Sequence, residues 1–80
     1  MITSSQIRAA RGMLNWSRAD LASKSGVGFS SMMRIESGDG VPGAHAKTLE
    51  ALEKAFELAG IEFIGTPDDG PGVRLRKVKT

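Results

Sequence analysis

The apolar residues of this chain follow a helical period up to Gly60 and alternate with polar residues after it. A spacing of three and four residues is typical of an amphipathic helix, and a spacing of two is typical of a strand with one buried face. Glycines separate most of these segments. The pattern predicts helices at 4–14, 17–25, 29–37 and 45–59, followed by strands at 61–64 and 73–78.

Capping signals mark the beginnings of the first two predicted helices. Thr3 and Gln6 have the spacing of a capping box, in which each side chain accepts from the other residue's backbone N–H. Ser17 and Asp20 repeat that spacing, with an aspartate in place of the usual glutamate. Gly28 precedes the third helix and has no side-chain acceptor, so we expect a weaker cap there.

The second and third predicted helices are separated by a turn of four residues, 25–28. A connection this short fixes two helices at a steep angle, as in a helix-turn-helix. Gly26 suits the left-handed conformation in which the second helix would end. Met32 and Ile35 of the third helix face a core, and the opposite face is small and polar apart from one methionine and one arginine. That face fits a DNA major groove, where side chains read base edges. It consists of Ser30, Met33, Arg34 and Ser37.

The tail contains two alternating segments joined by eight residues, 65–72. This connection is longer than the usual hairpin loop of about two to five residues. Two arrangements therefore stay open, a loose hairpin within the chain or pairing with the same strands of a second chain. The small size of the core favours burial of these strands against a partner. The dimerisation candidates are Ile61, Phe63, Val73 and Leu75.

Size and composition exclude several classes of function. The chain has 80 residues, enough for one domain, and its 40% hydrophobic and 25% charged residues are ordinary for a globular protein. It has no cysteine and one histidine, His45, so we expect no metal site, no cofactor and no enzymatic activity. No apolar run reaches the roughly 18 residues of a membrane span, and the N-terminus lacks a signal-peptide pattern. We therefore expect a cytoplasmic protein without a membrane partner.

The net charge of +2 conceals an uneven distribution. Residues 1–38 carry five bases and two acids, a net +3. Residues 39–70 carry two bases and seven acids, a net −5, and residues 71–80 carry four bases and no acid, a net +4. A basic segment can bind a polyanion. The first basic segment contains the predicted helix-turn-helix, which makes DNA a candidate partner.

The residues in and around the helix-turn-helix resemble a known family. The stretches that carry the resemblance are Ile7-Arg8-Ala9-Ala10-Arg11, Leu14-Asn15-Trp16-Ser17-Arg18-Ala19-Asp20-Leu21-Ala22, Ser25-Gly26-Val27 and Met33-Arg34-Ile35-Glu36-Ser37-Gly38. Over residues 4–59 the chain resembles the Cro/C1-type (XRE, lambda repressor-like) helix-turn-helix transcription regulators. The resemblance implies a mainly α, compact four- to five-helix DNA-binding domain at 1–60, with its helix-turn-helix at 17–37. Beyond the stretch that carries the resemblance, the alternating pattern predicts a C-terminal β-strand pair or hairpin within residues 61–80.

The resemblance also implies a function. Members of the family bind operator DNA, usually as dimers, with the third helix in the major groove. This chain would then be a sequence-specific regulator, a repressor, whose partners are a palindromic double-stranded operator and a second copy of itself. An alternative stays open, an antitoxin-type interaction module that binds a toxin through its C-terminal tail and regulates its own operon.

The site residues that the resemblance implies form three sets. Base-edge contacts are implied for Phe29, Ser30, Ser31, Met33 and Arg34, with Phe29 near a thymine methyl group. Phosphate contacts are implied for Ser17, Arg18, Ser37 and Gly38. A structural salt bridge is implied for Arg11 and Glu36.

Five other expectations concern single side chains. Arg18 lies at a helix N-terminus, where the helix dipole disfavours a positive charge, and a bound phosphate would account for it. We expect Arg8 and His45 to be exposed to solvent. We expect Trp16 and Phe56 to belong to the core.

Overall fold

The computed structural model describes residues 2–76 of the chain. The fold of this part is mainly helical and ends in a two-stranded antiparallel hairpin. The helices predicted from the apolar period are confirmed, and each end differs from the prediction by at most one residue. The continuation of the last strand to Val78 lies outside the described residues. The elements are α1 (Ser4–Leu14), α2 (Arg18–Ser25), α3 (Phe29–Glu36), α4 (Ala46–Leu58), β1 (Ile61–Thr66) and β2 (Asp69–Leu75).

Both predicted capping boxes form. The backbone N–H of Gln6 donates to Thr3 Oγ1 at 3.1 Å, and the backbone N–H of Thr3 donates to Gln6 Oε1 at 2.8 Å. The corresponding distances between Ser17 and Asp20 are 3.0 and 2.9 Å. Hydrogen bonding from Ser17, chiefly through its backbone N–H, holds the pKa of Asp20 below its usual range. The ionised carboxylate at the start of α2 also interacts favourably with the helix dipole.

The core is formed by apolar residues of all four helices and β1. Phe56 of α4 is fully buried and lies between two aromatic neighbours. The Trp16 ring stacks on it at a centroid distance of 5.6 Å, and the Phe63 ring meets it edge-on at 5.8 Å. The hairpin therefore shares one core with the four helices. The other buried apolar residues are Ile2, Ile7, Ala10, Leu21, Met32, Ile35, Leu49, Leu52, Ala55 and Ile61.

The hairpin is tied to α1 by a side chain. Gln6 Nε2 donates to the backbone oxygen of Ile64 at 3.2 Å and to that of Gly72 at 2.9 Å. These two acceptors are directly opposite each other in the strand register. Because Gln6 is also the partner of the α1 cap, the beginning of α1 and the middle of the hairpin are fixed to each other.

The connection within the hairpin is shorter than the sequence suggested. The predicted eight-residue loop is wrong, because the strands continue to Thr66 and Asp69 and leave a two-residue turn. Gly65 and Gly70 permit this with φ angles of 76° and 61°. A Cβ atom on Gly65 would lie 2.1 Å from the Gly70 oxygen. The strand register shifts at Gly65, so glycines that looked like loop residues form a β-bulge instead.

Candidate nucleic-acid interface

Helix α3 has one buried and one exposed face. Met32 and Ile35 are 0% and 5% exposed and belong to the core. We call the opposite surface the α3 outer face and define it as the exposed residues Phe29, Ser30, Met33, Arg34 and Ser37. Ser31 is partly buried. The five side chains implied in base contacts therefore lie on this face or at its border.

Arg34 is the cation of the α3 outer face. Its Nη2 donates to Ser31 Oγ, one turn earlier, at 3.3 Å. Within residues 2–76 this is the one hydrogen bond of the Arg34 guanidinium, which leaves its remaining N–H groups for a ligand. Arg34 also borders an open cleft of about 480 Å³ between α3 and the beginning of α4. His45, the exposed N-cap residue of α4, lies on the far side of that cleft.

Side chains of α1 hold the C-terminal end of α3. Ser4 and Arg8 lie one turn apart on α1 and so share a face. Ser4 Oγ donates to the backbone oxygen of Ile35, and Arg8 Nη1 donates to those of Glu36 and, at 2.7 Å, Gly38. These contacts satisfy carbonyl groups that a helix end leaves unpaired. Arg8, expected in solvent, is 37% exposed and binds these carbonyls instead.

The side chain of Glu36 is completely buried and is bound by two arginines. Arg11 donates from Nε to Oε2 at 2.9 Å and from Nη2 to Oε1 at 2.8 Å. This places Arg11 and Glu36 in the ion pair that the resemblance implied. Arg18 Nε lies 3.5 Å from the same Oε1. A carboxylate buried in this way is compensated by charge and by hydrogen bonds, as such groups must be.

Arg18 therefore has an acidic partner within the chain. The expected phosphate is not needed to account for the position of Arg18, because Glu36 already supplies a negative charge. The Arg18 side chain is 43% exposed, so part of its guanidinium stays open to a ligand. The sequence could not reveal this contact, because the two residues are far apart along the chain. The one signal in the sequence is a basic residue at a helix N-terminus. Because the helix dipole disfavours a positive charge there, that residue indicates a nearby anion.

The residues implied in phosphate contact lie around one corner of the domain. Since Arg18 touches Glu36, the beginning of α2 lies beside the end of α3, where Ser37 and Gly38 follow. All four phosphate candidates are exposed. The backbone N–H of Ser17 is used by the capping box, so a ligand there would meet the Ser17 hydroxyl and the following backbone N–H groups of α2.

The dimerisation candidates on the hairpin are mostly turned inward. Ile61 is buried in the core, and Phe63 and Val73 pack against it. Leu75 is 44% exposed and is the exception. A contact between two chains could use Leu75 in this conformation, whereas Ile61 is occupied within its own chain.

The basic charges at the end of the hairpin, Arg74 of β2 and Arg76 just after it, are partly neutralised. Arg74 and Arg76 both donate hydrogen bonds to the carboxylate of Glu62. The bonds from Arg74, followed by those from Arg76, hold the pKa of Glu62 below its usual range. The tail charge of +4 therefore overstates the cationic surface of the hairpin. Lys77 and Lys79, which contribute to that charge, lie outside the described residues.

Two properties of residues 2–76 bear on the class of site. No group of three or more histidine, aspartate or glutamate side chains lies close enough together to hold a metal ion. None of the described helices is long and apolar enough to cross a membrane.

Comparison of the chain with protein-family models gave no match, and comparison with curated proteins gave none.

Proposed function

We propose that this protein is a sequence-specific DNA-binding transcriptional regulator, a repressor that reads the major groove with α3. The observation that carries the proposal is the α3 outer face, whose exposed residues are two serines, one arginine, Phe29 and Met33, with no exposed acid. The one acid of α3, Glu36, is buried and paired. The inner face of α3 is fixed by the core and by α1, so its outer face is presented in one orientation.

The dimensions of α3 support this reading. Its eight residues give a length of about 12 Å at 1.5 Å per residue. The B-DNA major groove is roughly 12 Å wide and admits one helix, whose diameter with side chains is about 10–12 Å. Small side chains such as Ser30 allow close approach to the base edges. The helix order and the short connection between α2 and α3 are those expected of a lambda repressor-like domain, and this fold is part of the proposal.

The charge of the helix-turn-helix supports a polyanionic partner. Residues 17–38 hold three bases, Arg18, Lys24 and Arg34, against Asp20 and Glu36. Because Glu36 is buried and neutralised by Arg11, the exposed balance is more positive than the count suggests. Lys24 Nζ lies 5.3 Å from the centre of the Trp16 ring. Binding that neutralises phosphates releases counterions. The logarithm of the association constant therefore falls with the logarithm of the salt concentration, with a slope of about −0.9 for each phosphate neutralised.

The proposal includes a homodimer on a palindromic operator. A helix this short covers few base pairs, and two copies would read two half-sites about one helical turn apart. Leu75 on the hairpin and Leu58 on α4, which are 44% and 75% exposed, are candidates for the contact between the copies. Light scattering of the intact chain tests this part, and a monomer mass at the concentration that saturates DNA would contradict it.

The same exposed residues favour a second candidate function. Leu58, Leu75 and Ile64, which is 39% exposed, lie on α4 and the hairpin and do not belong to the α3 outer face. An antitoxin-type protein would use such a surface to bind a toxin and would keep α3 for its own operator. A stoichiometric partner that co-purifies from the native host, encoded beside this chain, would support it.

Selection of binding sites from a random DNA pool at a stated salt concentration tests the main proposal. We expect enrichment of one palindromic sequence. Enrichment of no sequence above background would contradict the proposal.

A further inference from the structure

We propose that Phe29 and Met33 form a reader of pyrimidine methyl groups, so that the operator carries thymine at the positions beneath them. This inference rests on the proposed DNA-binding function and names the chemical group that this site recognises. It concerns the apolar part of the α3 outer face.

The two side chains form an exposed apolar pair. Phe29 is 50% exposed and Met33 is 47% exposed. They are four residues apart on one helix, so their side chains lie on the same face, one turn from each other. The other large apolar residues of α3, Met32 and Ile35, are 0% and 5% exposed. The core is therefore complete without Phe29 and Met33.

The folded chain gives Phe29 no aromatic partner within residues 2–76. The aromatic contacts of that part of the chain join Trp16 to Phe56 and Phe56 to Phe63. Phe29 thus keeps half of its surface in contact with water. Such contact is unfavourable by about 25 cal/mol for each Å² of apolar surface. A partner that covers the ring would recover that free energy.

The surroundings of the pair select the kind of partner. Ser30 follows Phe29, and Arg34 follows Met33, so the apolar pair is bordered by a hydroxyl and a guanidinium. A wholly apolar partner would remove these polar groups from water without replacing their hydrogen bonds. A DNA major groove supplies acceptors for Arg34 and Ser30 and phosphates around the edge. It also offers one apolar group, the C5 methyl of thymine.

The arrangement predicts a local sequence. Arginine pairs best with the O6 and N7 atoms of guanine, and apolar side chains pack against the thymine methyl. Because Arg34 is the neighbour of Met33, we expect each half-site to place one or two thymines next to a guanine. Cytosine lacks the methyl group and presents a polar amino group, so it is disfavoured at the thymine positions.

Deoxyuridine substitution tests the inference, because deoxyuridine differs from thymidine by this one methyl group. The intact protein is titrated with its selected site, in which each thymine is replaced by uracil one position at a time. We expect about fourfold weaker binding at one or two positions in each half-site, the factor for exposing one methyl-sized group. The other thymines should tolerate uracil.

Protein variants assign the effect to these side chains. In Phe29→Ser and Met33→Gln, uracil at the matching position should cause no further loss, since the contact is already absent. Met13→Gln is the matched control, because Met13 is also 47% exposed but lies on α1. This control should keep the full sensitivity to uracil. All three positions are exposed, and far-ultraviolet circular dichroism should show wild-type helix content.

Each outcome bears on the inference. A selected site that binds equally well with uracil at every position would overturn it and leave the proposed function intact. Unchanged uracil sensitivity in Phe29→Ser and Met33→Gln, with a lower molecular mass in light scattering, would assign the pair to a protein contact and also overturn it. If selection enriches no sequence, both the proposed function and this inference are wrong.

Discussion

Arg18 Nε lies 3.5 Å from Glu36 Oε1, a contact that joins the first residue of α2 to the last residue of α3. Arg11 binds the same carboxylate in a bidentate manner from α1. Three helices thus meet at one buried negative charge. The orientation of α3, and with it the direction of the α3 outer face, depends on that charge.

Replacement of Glu36 by glutamine should strongly destabilise the fold. The amide keeps the shape of the side chain but leaves Arg11, which is 18% exposed, beside no compensating charge. Removal of one partner from a buried ion pair costs about 3–5 kcal/mol. Urea unfolding followed by circular dichroism should show a lower midpoint with an unchanged slope.

Arg18→Ala is the matched control for Glu36→Gln. Arg18 is 43% exposed, and an ion pair of this kind contributes about 1 kcal/mol or less. We therefore expect a small loss of stability from Arg18→Ala. Equal losses from the two substitutions would contradict the central role assigned to the buried carboxylate.

Replacement of Arg8 by methionine should weaken the end of α3. The side-chain length is retained, but the backbone oxygens of Glu36 and Gly38 lose their donor. We expect a loss of about 1 kcal/mol in the free energy of unfolding. Arg8→Lys should recover part of it, because an ammonium group can donate to the same carbonyls.

The control for Arg8 is Arg34→Met. Arg34 is exposed and its guanidinium binds no carbonyl among the described residues, so its replacement should change stability by less than about 0.5 kcal/mol. A stability of Arg8→Met equal to that of Arg34→Met would contradict the role of Arg8 at the end of α3.

Two glycines of the hairpin should differ in their tolerance of alanine. Both have positive φ, which costs an alanine about 1–2 kcal/mol. An alanine at position 65 would also create a steric conflict, because its Cβ would lie 2.1 Å from the Gly70 oxygen. A Cβ added at Gly70 would meet open space. Gly65→Ala should therefore cost clearly more than Gly70→Ala in thermal unfolding. Gly40→Ala, which meets neither obstacle, is the control, and the reverse order would contradict the bulge.

Acid should remove a contribution to stability that Asp20 makes at neutral pH. Its pKa is lowered in the folded state, chiefly by hydrogen bonding from the Ser17 backbone. A group with a lowered folded pKa stabilises the fold above its unfolded pKa, about 3.9 for aspartate, and this contribution disappears as the pH falls through the folded value. Unfolding of Asp20→Asn should therefore depend less on pH below about 5 than that of wild type. Parallel curves for the two proteins would contradict it.

The helices could be predicted from the sequence because their signals are local. The spacing of Ile7, Ala10 and Leu14 and the pairs of the two capping boxes lie within a few residues, so no tertiary information was needed. The length of the hairpin turn could not be predicted in this way. Glycine and proline are typical of loops, and the positive φ angles that extend the strands appear only in the folded hairpin.

The candidate site could be predicted only in part for the same reason. The exposed face of α3 follows from its period. The partners of Arg8 and Arg18 could not be predicted from that period. Arg8 contacts Gly38, and Arg18 contacts Glu36, only because separate helices pack together in the fold. Ile61, predicted as a dimer contact, is likewise buried in the core of its own chain, and the alternating pattern does not show which partner covers it.

The most direct test of the central claim compares wild type, Arg34→Ala and Arg18→Ala on the selected DNA site. Each protein is titrated with that site and with its single-base variants over a range of salt. We expect Arg34→Ala to lose about 1–3 kcal/mol of discrimination at one base pair. We expect Arg18→Ala to bind all variants more weakly by the same factor and to reduce the salt slope by about 1. Full retention of base discrimination by Arg34→Ala would contradict the claim that α3 reads the major groove.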